Sequence, residues 1–350
     1  MRPMPVRRSA SRPFSREADA SLEEWAKKTD RITWCSSTEF WYDHMESQSG
    51  RSLPVIYRPF DLSRKDDWRD EGMILDFVCA TQADGTLVLD FGPGDGWPSL
   101  RIANMTSRVV GVDASERRVR VCRENARRLG IGNTEFLPVP SGARLPFEPA
   151  TFDAAVAASS IEQTPSPMST LRELYRVLKP GGRLRLCYEG LARYLGGRER
   201  TASVQKLEGG GTRLELFLRS PDDETAMAIH ADTEMAAVEL EELLCGRTNR
   251  DEVDEQALRE LLHGLSRVTG CRLQHPGGAT FARMLKEVGF TSVAGTQSGA
   301  QAAERAFTSG RESAGAPDHG ALRRYLRPIV ESVVRAEADL RSDPWITAVK

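Results

Sequence analysis

The segment from Leu87 to Ser115 combines an apolar run, a glycine-rich turn and two aspartates in a spacing that can bind a nucleoside-type ligand. Its candidate binding residues, in chain order, are Asp90, Gly92, Pro93, Gly94, Gly96, Asp113 and Ala114. Glycine permits positive φ and lets a ligand approach the backbone, which a Cβ would prevent. Asp113 follows the first glycine by about 20 residues, a spacing at which a carboxylate can accept hydrogen bonds from ribose hydroxyls.

Local patterns indicate which elements position these residues. Leu87–Leu89 is a short apolar run, as expected of a strand buried on both faces of a parallel sheet. Pro98 suits the first turn of a helix, where its missing N–H costs nothing. Val109–Val112 reads as a second strand that ends at Asp113, and Ser115 is a candidate cap for a charged helix. The ligand is therefore expected at the carboxyl ends of the strands, where open α/β sheets bind ligands.

Two classes of cofactor use a strand–turn–helix of this kind. A dinucleotide fold has G-x-G-x-x-G, and Trp97 stands where its third glycine belongs. Asp95 would also place a carboxylate beside a pyrophosphate, so both residues disfavour NAD. The segment resembles the first motif of class I methyltransferases, hhDhGxGxG, which is followed by an acidic residue at the end of the next strand. That resemblance implies S-adenosylmethionine (SAM) as the cofactor.

A second stretch, residues 145–186, resembles the same family. It contains LPF, then FDAAV, then a helix that ends in RVLKPGG before a further strand, as in the quinone-biosynthesis branch. In that family an Asp just before LPF accepts a hydrogen bond from the adenine amino group. Ser141 stands at its place here, so the resemblance leaves the adenine contact to Ser141 or to the backbone of Gly142 and Ala143.

The fold that the resemblance implies is α/β, the Rossmann-like class I methyltransferase sheet. It has seven strands, mostly parallel with an antiparallel last strand, helices on both faces and an α+β insertion. We expect a disordered tail at 1–20, a helical cap segment at 21–80, a SAM-binding core at 81–190, an insertion that caps the substrate site at 191–275, and the rest of the core at 276–350. The acid-poor, arginine-rich residues 1–16 can alternatively be read as a transit peptide.

Individual elements are predicted by periodicity and turn residues. The insertion should hold a hairpin of 212–219 and 225–230, followed by amphipathic helices at 233–245 and 252–268. The core should have a helix at 68–80 and another ending at Gly289. The end of the chain should form a loop at 308–318, a long helix at 321–340 and a last strand in the sequence PWITAVK.

Candidate catalytic residues are few because a sulfonium methyl is already activated for in-line displacement. A base is needed only if the acceptor is a hydroxyl, an acidic carbon or a protonated amine. Glu162 is the first candidate, and Ser159 a candidate cofactor contact, since both follow the fourth strand. Many relatives carry histidines there, so a structural role for Glu162 stays open. His44, in an aromatic-rich segment, is the second candidate, and its alternative is a structural histidine.

Composition restricts the partners and the compartment. The net charge of −2 at pH 7 gives no electrostatic attraction to nucleic acid or to an anionic membrane. No apolar run approaches the ~20 residues of a membrane span. The 6 cysteines are scattered without a C-x-x-C pair, which indicates reduced cytoplasmic thiols and no metal site. We expect a cytoplasmic protein with a small-molecule partner, and the oligomeric state is not indicated.

Three functions remain open at this point. The first is a SAM-dependent methyltransferase acting on an oxygen, nitrogen or carbon nucleophile of a small molecule. The second is a non-catalytic regulatory protein that binds SAM or S-adenosylhomocysteine on the same fold, which Ser141 and the missing histidines suggest. The third, a dinucleotide oxidoreductase, is disfavoured by Asp95 and Trp97. No motif identifies the methyl acceptor.

Overall fold

A computed structural model describes residues 30, 32–47, 61–191, 195, 200–208, 210–220, 222, 224–245, 261–262, 265, 268–310, 318–342 and 344–350. The chain divides into two units. The core unit comprises Leu53–Tyr188 and Pro276–Lys350, and the insertion unit comprises Arg2–Ser52 and Glu189–His275. The tail expected at 1–20 lies outside the described residues.

The secondary structure follows the chain in this order. The strands are β1 (Ile32–Trp34), β2 (Leu87–Phe91), β3 (Arg108–Asp113), β4 (Thr134–Pro138), β5 (Phe152–Ala158), β6 (Leu178–Cys187), β7 (Arg200–Lys206), β8 (Thr212–Arg219), β9 (Thr225–Thr233), β10 (Val268–Gln274), β11 (Ser292–Thr296) and β12 (Trp345–Val349). The helices are α1 (Ser37–Glu46), α2 (Lys65–Thr81), α3 (Ser99–Ile102), α4 (Glu116–Arg128), α5 (Pro167–Val177), α6 (Ala237–Cys245), α7 (Gly278–Val288), α8 (Gly299–Gly310) and α9 (His319–Val333). None of the helices in the described residues has both the length and the apolar character that crossing a membrane requires.

The core unit holds a 7-stranded sheet with the order β11-β12-β6-β5-β2-β3-β4. The strands from β6 to β4 pair in parallel, and β12 runs antiparallel to both of its neighbours. This arrangement confirms the predicted fold class, including the antiparallel last strand in PWITAVK. The strand order reverses between β2 and β5, near the middle of the sheet. The glycine turn leaves β2 at this topological switch point.

Helices cover both faces of this sheet because alternate strand residues point to opposite sides. Leu89 lies in an apolar cluster with Leu174 of α5 and Phe281 of α7. Its neighbour Val88 lies in a second cluster, with Phe77 of α2. The central strands are therefore buried on both sides, as their continuous apolar runs indicate.

A buried ion pair joins five elements of the core unit. Arg185 of β6 is fully buried, and its Nε lies 2.7 Å from Oδ1 of Asp76 on α2. Its Nη1 donates to the hydroxyls of Thr296 and Thr347 at 2.6 and 3.0 Å. The Gly299 N–H donates to Asp76 Oδ2 at 2.7 Å, which ties the start of α8 to the same pair.

The end of the core unit differs from the sequence expectation. Helix α8 was not predicted, and it extends into the expected loop at 308–318. The helix expected at 321–340 ends as α9 at Val333. Beyond it the Ala338 N–H donates to the Gly295 carbonyl oxygen at 2.9 Å. Pairing with the end of β11 thus replaces the continued helix that local propensity favours.

The insertion unit is built on a 5-stranded sheet with the order β1-β10-β9-β8-β7. The predicted hairpin is confirmed as β8 and β9, whereas β7 and β10 were not predicted. Strand β1 pairs in parallel with β10, so the aromatic segment joins this sheet while α2 belongs to the core unit. The segment expected as one piece at 21–80 is therefore divided. Most of the helix expected at 252–268 lies outside the described residues.

The two faces of the insertion sheet differ in chemistry. Leu214 and Leu216 of β8 pack with Ile229 and Leu240 in an apolar cluster. Residues on the opposite face of β8 meet α1 instead, where Phe217 packs edge-on against Phe40 at 6.2 Å between ring centroids. Polar side chains lie beside this aromatic contact, and they include His44.

Candidate functional site

The glycine turn after β2 lies against the ends of β3 and β5. The Gly92 N–H donates to the Val112 carbonyl oxygen at 2.8 Å, and the Ser160 hydroxyl donates to the Phe91 carbonyl oxygen at 2.6 Å. Gly92 has a φ of +75°, and a Cβ there would lie 2.5 Å from the Ser160 Cβ. Glycine is therefore required at 92 because Ser160 occupies the space of a side chain, a contact that no local sequence signal indicated.

Gly94 faces open space at the next step of the turn. Its φ is +59°, and apart from Gly94 and its two chain neighbours no heavy atom of the described residues lies within 4 Å of where a Cβ would be. Its N–H donates to Asp113 Oδ2 at 3.0 Å, which holds the turn over the end of β3. The described residues thus leave the space in the Cβ direction of Gly94 open, so that a ligand could approach the backbone there.

Asp113 is nearly buried and is oriented by the backbone around it. Its Oδ1 accepts from the Ser115 N–H at 2.9 Å, while its Oδ2 accepts from Gly94. An ionised carboxylate has about four acceptor sites. These two bonds are therefore compatible with further donors such as the two hydroxyls of a ribose. Ala114, half-buried, links Asp113 to the Ser115 cap of α4.

Asp90 is fully buried beneath the turn. Its Oδ2 accepts from the Ser99 N–H at 3.0 Å and from the Ser99 hydroxyl at 2.6 Å, which fixes the start of α3. Its Oδ1 has no partner among the residues that the structure describes. Burial raises the pKa of Asp90 to about 7, and the charge of Asp113 adds to that, against the bonds from Ser99. The sequence did not identify Ser99 as a partner of Asp90, because only the folded chain brings the two residues together.

The turn after β4 carries the candidate adenine contacts. The Val139 N–H donates to the Asp113 carbonyl oxygen at 2.9 Å, so this turn starts beside Asp113. The Ala143 N–H donates to the Pro140 carbonyl oxygen at 3.0 Å, which closes a tight turn over Ser141 and Gly142. Gly142 and Ala143 are exposed, and Ser141 is half-buried. Backbone groups of the turn are accordingly open to a ligand.

The end of β5 brings in the last two predicted residues. Ser159 has a φ of +50°, a left-handed conformation that is costly for a residue with a side chain and is found at functional sites. Its carbonyl oxygen accepts from Gln163 Nε2 at 2.8 Å. Glu162 follows in a 3₁₀ turn and is 1% exposed. The ends of β2, β3, β4 and β5 thus bring the predicted cofactor residues to one edge of the sheet, with Glu162 after the same strand as Ser159.

His44 belongs to α1 of the insertion unit. It is buried, and its Nδ1 contacts Oε1 of Glu215 on β8, a residue 171 positions away in sequence. The scattered cysteines indicated no metal site in the sequence. In the fold, His44, Glu215 and His230 nevertheless bring one potential ligand atom each within 4.8 Å of one another.

Comparisons with known proteins bear on the core unit. Residues 89–186 match a family model described as a methyltransferase domain. The ubiquinone/menaquinone biosynthesis C-methyltransferase of Escherichia fergusonii is 36% identical over 110 residues, which cover 30% of this chain and 43% of that protein. The 27-O-demethylrifamycin SV methyltransferase of Amycolatopsis mediterranei is 29% identical over 130 residues, covering 34% and 48%. The matches confirm the resemblance indicated by the glycine motif and by RVLKPGG.

The extent of these similarities is limited. The chain spans less than half the length of the curated relatives it matches. A solved SAM-dependent methyltransferase from Clostridium acetobutylicum is similar over 89% of this chain and 96% of its own, with 9% identity and a TM-score of 0.47. At that TM-score the likeness carries no conclusion about function.

Proposed function

We propose that this chain, whose core unit carries a class I methyltransferase domain resembling those of quinone biosynthesis, transfers a methyl group from SAM to a small-molecule nucleophile. The domain match supports SAM as the cofactor. The observation that carries the proposal is the turn at Gly94, which is open on one side and bonded to Asp113 on the other. One relative is named as a C-methyltransferase and another as acting on a 27-O-demethyl compound. Carbon and oxygen acceptors are therefore both within the proposal, and nitrogen is the third.

The donors and acceptors of the site fit the parts of SAM. Asp113 would accept hydrogen bonds from the ribose hydroxyls, and the Gly92–Gly96 backbone, with Pro93, would lie against the methionine part. The orphaned Asp90 Oδ1 is an acceptor suited to a buried ammonium group. Gly142, Ala143 and the neutral Ser141 would contact the adenine. Ser141 stands where the family motif has an Asp, so we expect a backbone contact to the adenine there.

The residues of the chain need only orient the acceptor, exclude water and, for some acceptors, accept a proton. When bound, SAM supplies a methyl group that is already activated by a sulfonium. The protein must hold the acceptor in line and keep water out, which orientation and burial accomplish. Glu162 would accept a proton if the acceptor is a hydroxyl or an acidic carbon. Its burial at the end of β5 suits a group that keeps one orientation.

Cofactor binding is tested by thermal melting with SAM, S-adenosylhomocysteine and NAD. A ligand at a hundred times its Kd stabilises the folded protein by about 2.7 kcal/mol. We expect this stabilisation with SAM and with S-adenosylhomocysteine, and Asp113→Asn should remove most of it. Asp153→Asn is the matched control. Asp153 is a carboxylate that accepts a hydrogen bond from Lys179, and it lies at the end of β5 away from Ser159. Stabilisation by NAD alone would refute the proposal.

Catalysis is tested separately by transfer of labelled methyl groups from SAM to a small-molecule extract. Glu162→Gln should lower kcat by about 10²–10⁴-fold if Glu162 is the base, and should leave the melting shift with SAM unchanged. An unchanged kcat would assign Glu162 a structural role. Binding of SAM without any transfer would instead favour the regulatory reading that Ser141 suggests. The part of the acceptor pocket assigned to segments 21–80 and 191–275 stays a prediction.

A further inference from the structure

A second cluster of ionisable side chains lies inside the insertion unit. Glu215 of β8 stands opposite His230 of β9 in the strand register, and His44 of α1 lies over them. All three side chains are buried, with Glu215 wholly so. His230 Nε2 lies 3.2 Å from Glu215 Oε1, and the same oxygen contacts His44 Nδ1. Three ligand atoms of the kinds that metals prefer thus converge on one point.

Side chains outside the cluster hold the second oxygen of Glu215 and the second ring nitrogen of His230. The second oxygen of Glu215, Oε2, accepts from the Ser203 hydroxyl at 3.2 Å and from the Gln205 amide. His230 Nδ1 lies 3.3 Å from Asp43 Oδ2. A carboxylate on the distal nitrogen is the usual means of orienting a metal-binding histidine and of fixing its tautomer. Glu215 Oε1 and His230 Nε2 are accordingly directed towards His44.

The ionisable side chains with which the structure surrounds the cluster, within the residues it describes, carry net negative charge when both imidazoles are neutral. Glu215, Asp43 and Asp232 are negative, and Arg213 is the cation that joins the last two, at 2.7 and 2.6 Å. These three carboxylates and one guanidinium carry two net negative charges, of which that of Glu215 is wholly buried while Asp43 and Asp232 are partly exposed. Buried charge is costly unless it is paired. One divalent cation would supply the missing charge.

We propose that His44, Glu215 and His230 bind a divalent transition-metal ion, with zinc as the expected occupant. Two imidazole nitrogens and one carboxylate oxygen form a donor set that zinc uses in proteins. The ligands come from α1, β8 and β9, so the ion would fasten the aromatic helix to the sheet of the insertion unit. The site lies outside the cofactor residues and does not depend on the proposed methyl transfer.

A competing reading balances the same charges with protons. Both imidazoles would then be protonated and would donate to Glu215 and Asp43. With neutral rings and no metal, His230 Nδ1 could instead accept from Arg213 Nη1, which lies 3.3 Å away. These arrangements leave no coordination site, and they differ from the proposal in their response to added zinc.

The test uses the full chain, stripped with a chelator and then titrated with Zn²⁺ or Co²⁺. We expect one ion per chain by elemental analysis, a visible Co²⁺ absorption spectrum and a higher melting temperature with Zn²⁺. His230→Gln and Glu215→Gln should lose the stoichiometric ion. His319→Gln is the control, because His319 bonds to Glu71 in the core unit. This variant should retain the stoichiometric ion. Asp43→Asn should weaken metal affinity about 10–100-fold without changing the stoichiometry at saturation.

A measurement on the wild-type chain covers the case in which a ligand variant fails to fold. With ¹⁵N-labelled histidine, Zn²⁺ should shift the ring signals of 2 of the 5 histidines. No shift, or no bound ion after titration, would overturn the proposal. It would also be overturned if His230→Gln bound zinc as tightly as the wild type. A stability that rises with falling pH and ignores zinc would establish the protonated arrangement instead.

Discussion

Replacing Asp90 by Asn removes a buried carboxylate whose pKa burial and the Asp113 charge raise from 3.8 to about 7. The asparagine Oδ1 can keep both hydrogen bonds from Ser99 that now go to Asp90 Oδ2. The substitution therefore eliminates the charge and preserves the contact that starts α3. Any change in stability with pH between the two proteins then reports the ionisation of Asp90.

The sign and size of the effect follow from the two pKa values. Between pH 3.8 and about 7 the folded protein holds a proton on Asp90 that the unfolded chain has released. The contribution of Asp90 to stability is thus fully present below the lower pKa and is lost as the pH rises through the higher one. A difference of about 3 pKa units corresponds to about 4 kcal/mol. No solvent screening reduces this figure, since the side chain is fully buried.

The assay is urea unfolding of both proteins without ligand, from pH 4.5 to pH 8. We expect the stability of Asp90→Asn relative to the wild type to rise by about 1.4 kcal/mol per pH unit up to near pH 6.5, and then to level off above pH 7. Asp153→Asn is the control. Although burial opposes it, bonds from Lys179 and the Leu87 N–H lower the pKa of Asp153 from 3.8. Asp153 is then ionised in both the folded and the unfolded chain throughout this pH range, so its difference profile should stay nearly flat.

A flat difference profile for Asp90→Asn would refute the reasoning. It would mean that Asp90 ionises with an ordinary pKa, and hence that its Oδ1 is hydrated or paired in solution. The suggested role of that oxygen as an acceptor for a ligand ammonium would then lose its physical basis.

Two further pairs of variants test the backbone and the core. Gly94→Ala and Gly130→Ala place the same side chain at φ values of +59° and +66° with open space around each, so both should cost about 1–2 kcal/mol in urea unfolding. SAM binding by calorimetry should weaken for Gly94→Ala alone; equal affinities would show that the turn does not contact the cofactor. Asp76→Asn leaves Arg185 buried without its partner and should cost about 3–5 kcal/mol. Glu304→Gln removes one partner of a partly exposed pair with Lys65 and should lower the free energy of unfolding by under ~1 kcal/mol. Similar losses of stability in Asp76→Asn and Glu304→Gln would show that burial does not decide the cost.

Local patterns were sufficient for most of the core unit. The strand that contains Asp90, the Ser115 cap and the helix end at Gly289 are each encoded within a few residues. The hairpin of β8 and β9 was readable for the same reason, because alternation and a turn are adjacent in the chain. Strand β7 was not predicted although its partner β8 follows it directly in the chain, because its own pattern of apolar residues is weak. Strand β10 was not predicted because it pairs with β1 and β9, which lie farther away in sequence.

The sequence alone determined the α/β class, the glycine turn and the aspartate beside it, because these depend on periodicity and on contiguous motifs. Folding decided which side chains meet. Three contacts are seen only in the tertiary structure. Ser99 bonds to Asp90, Arg185 to Asp76, which is 109 positions away in sequence, and His44 to Glu215, which is 171 positions away. Contacts of this kind leave no periodic trace, since each partner lies in a segment whose local pattern is satisfied without the other. The buried charges, and with them the candidate metal site, are consequently a property of the fold.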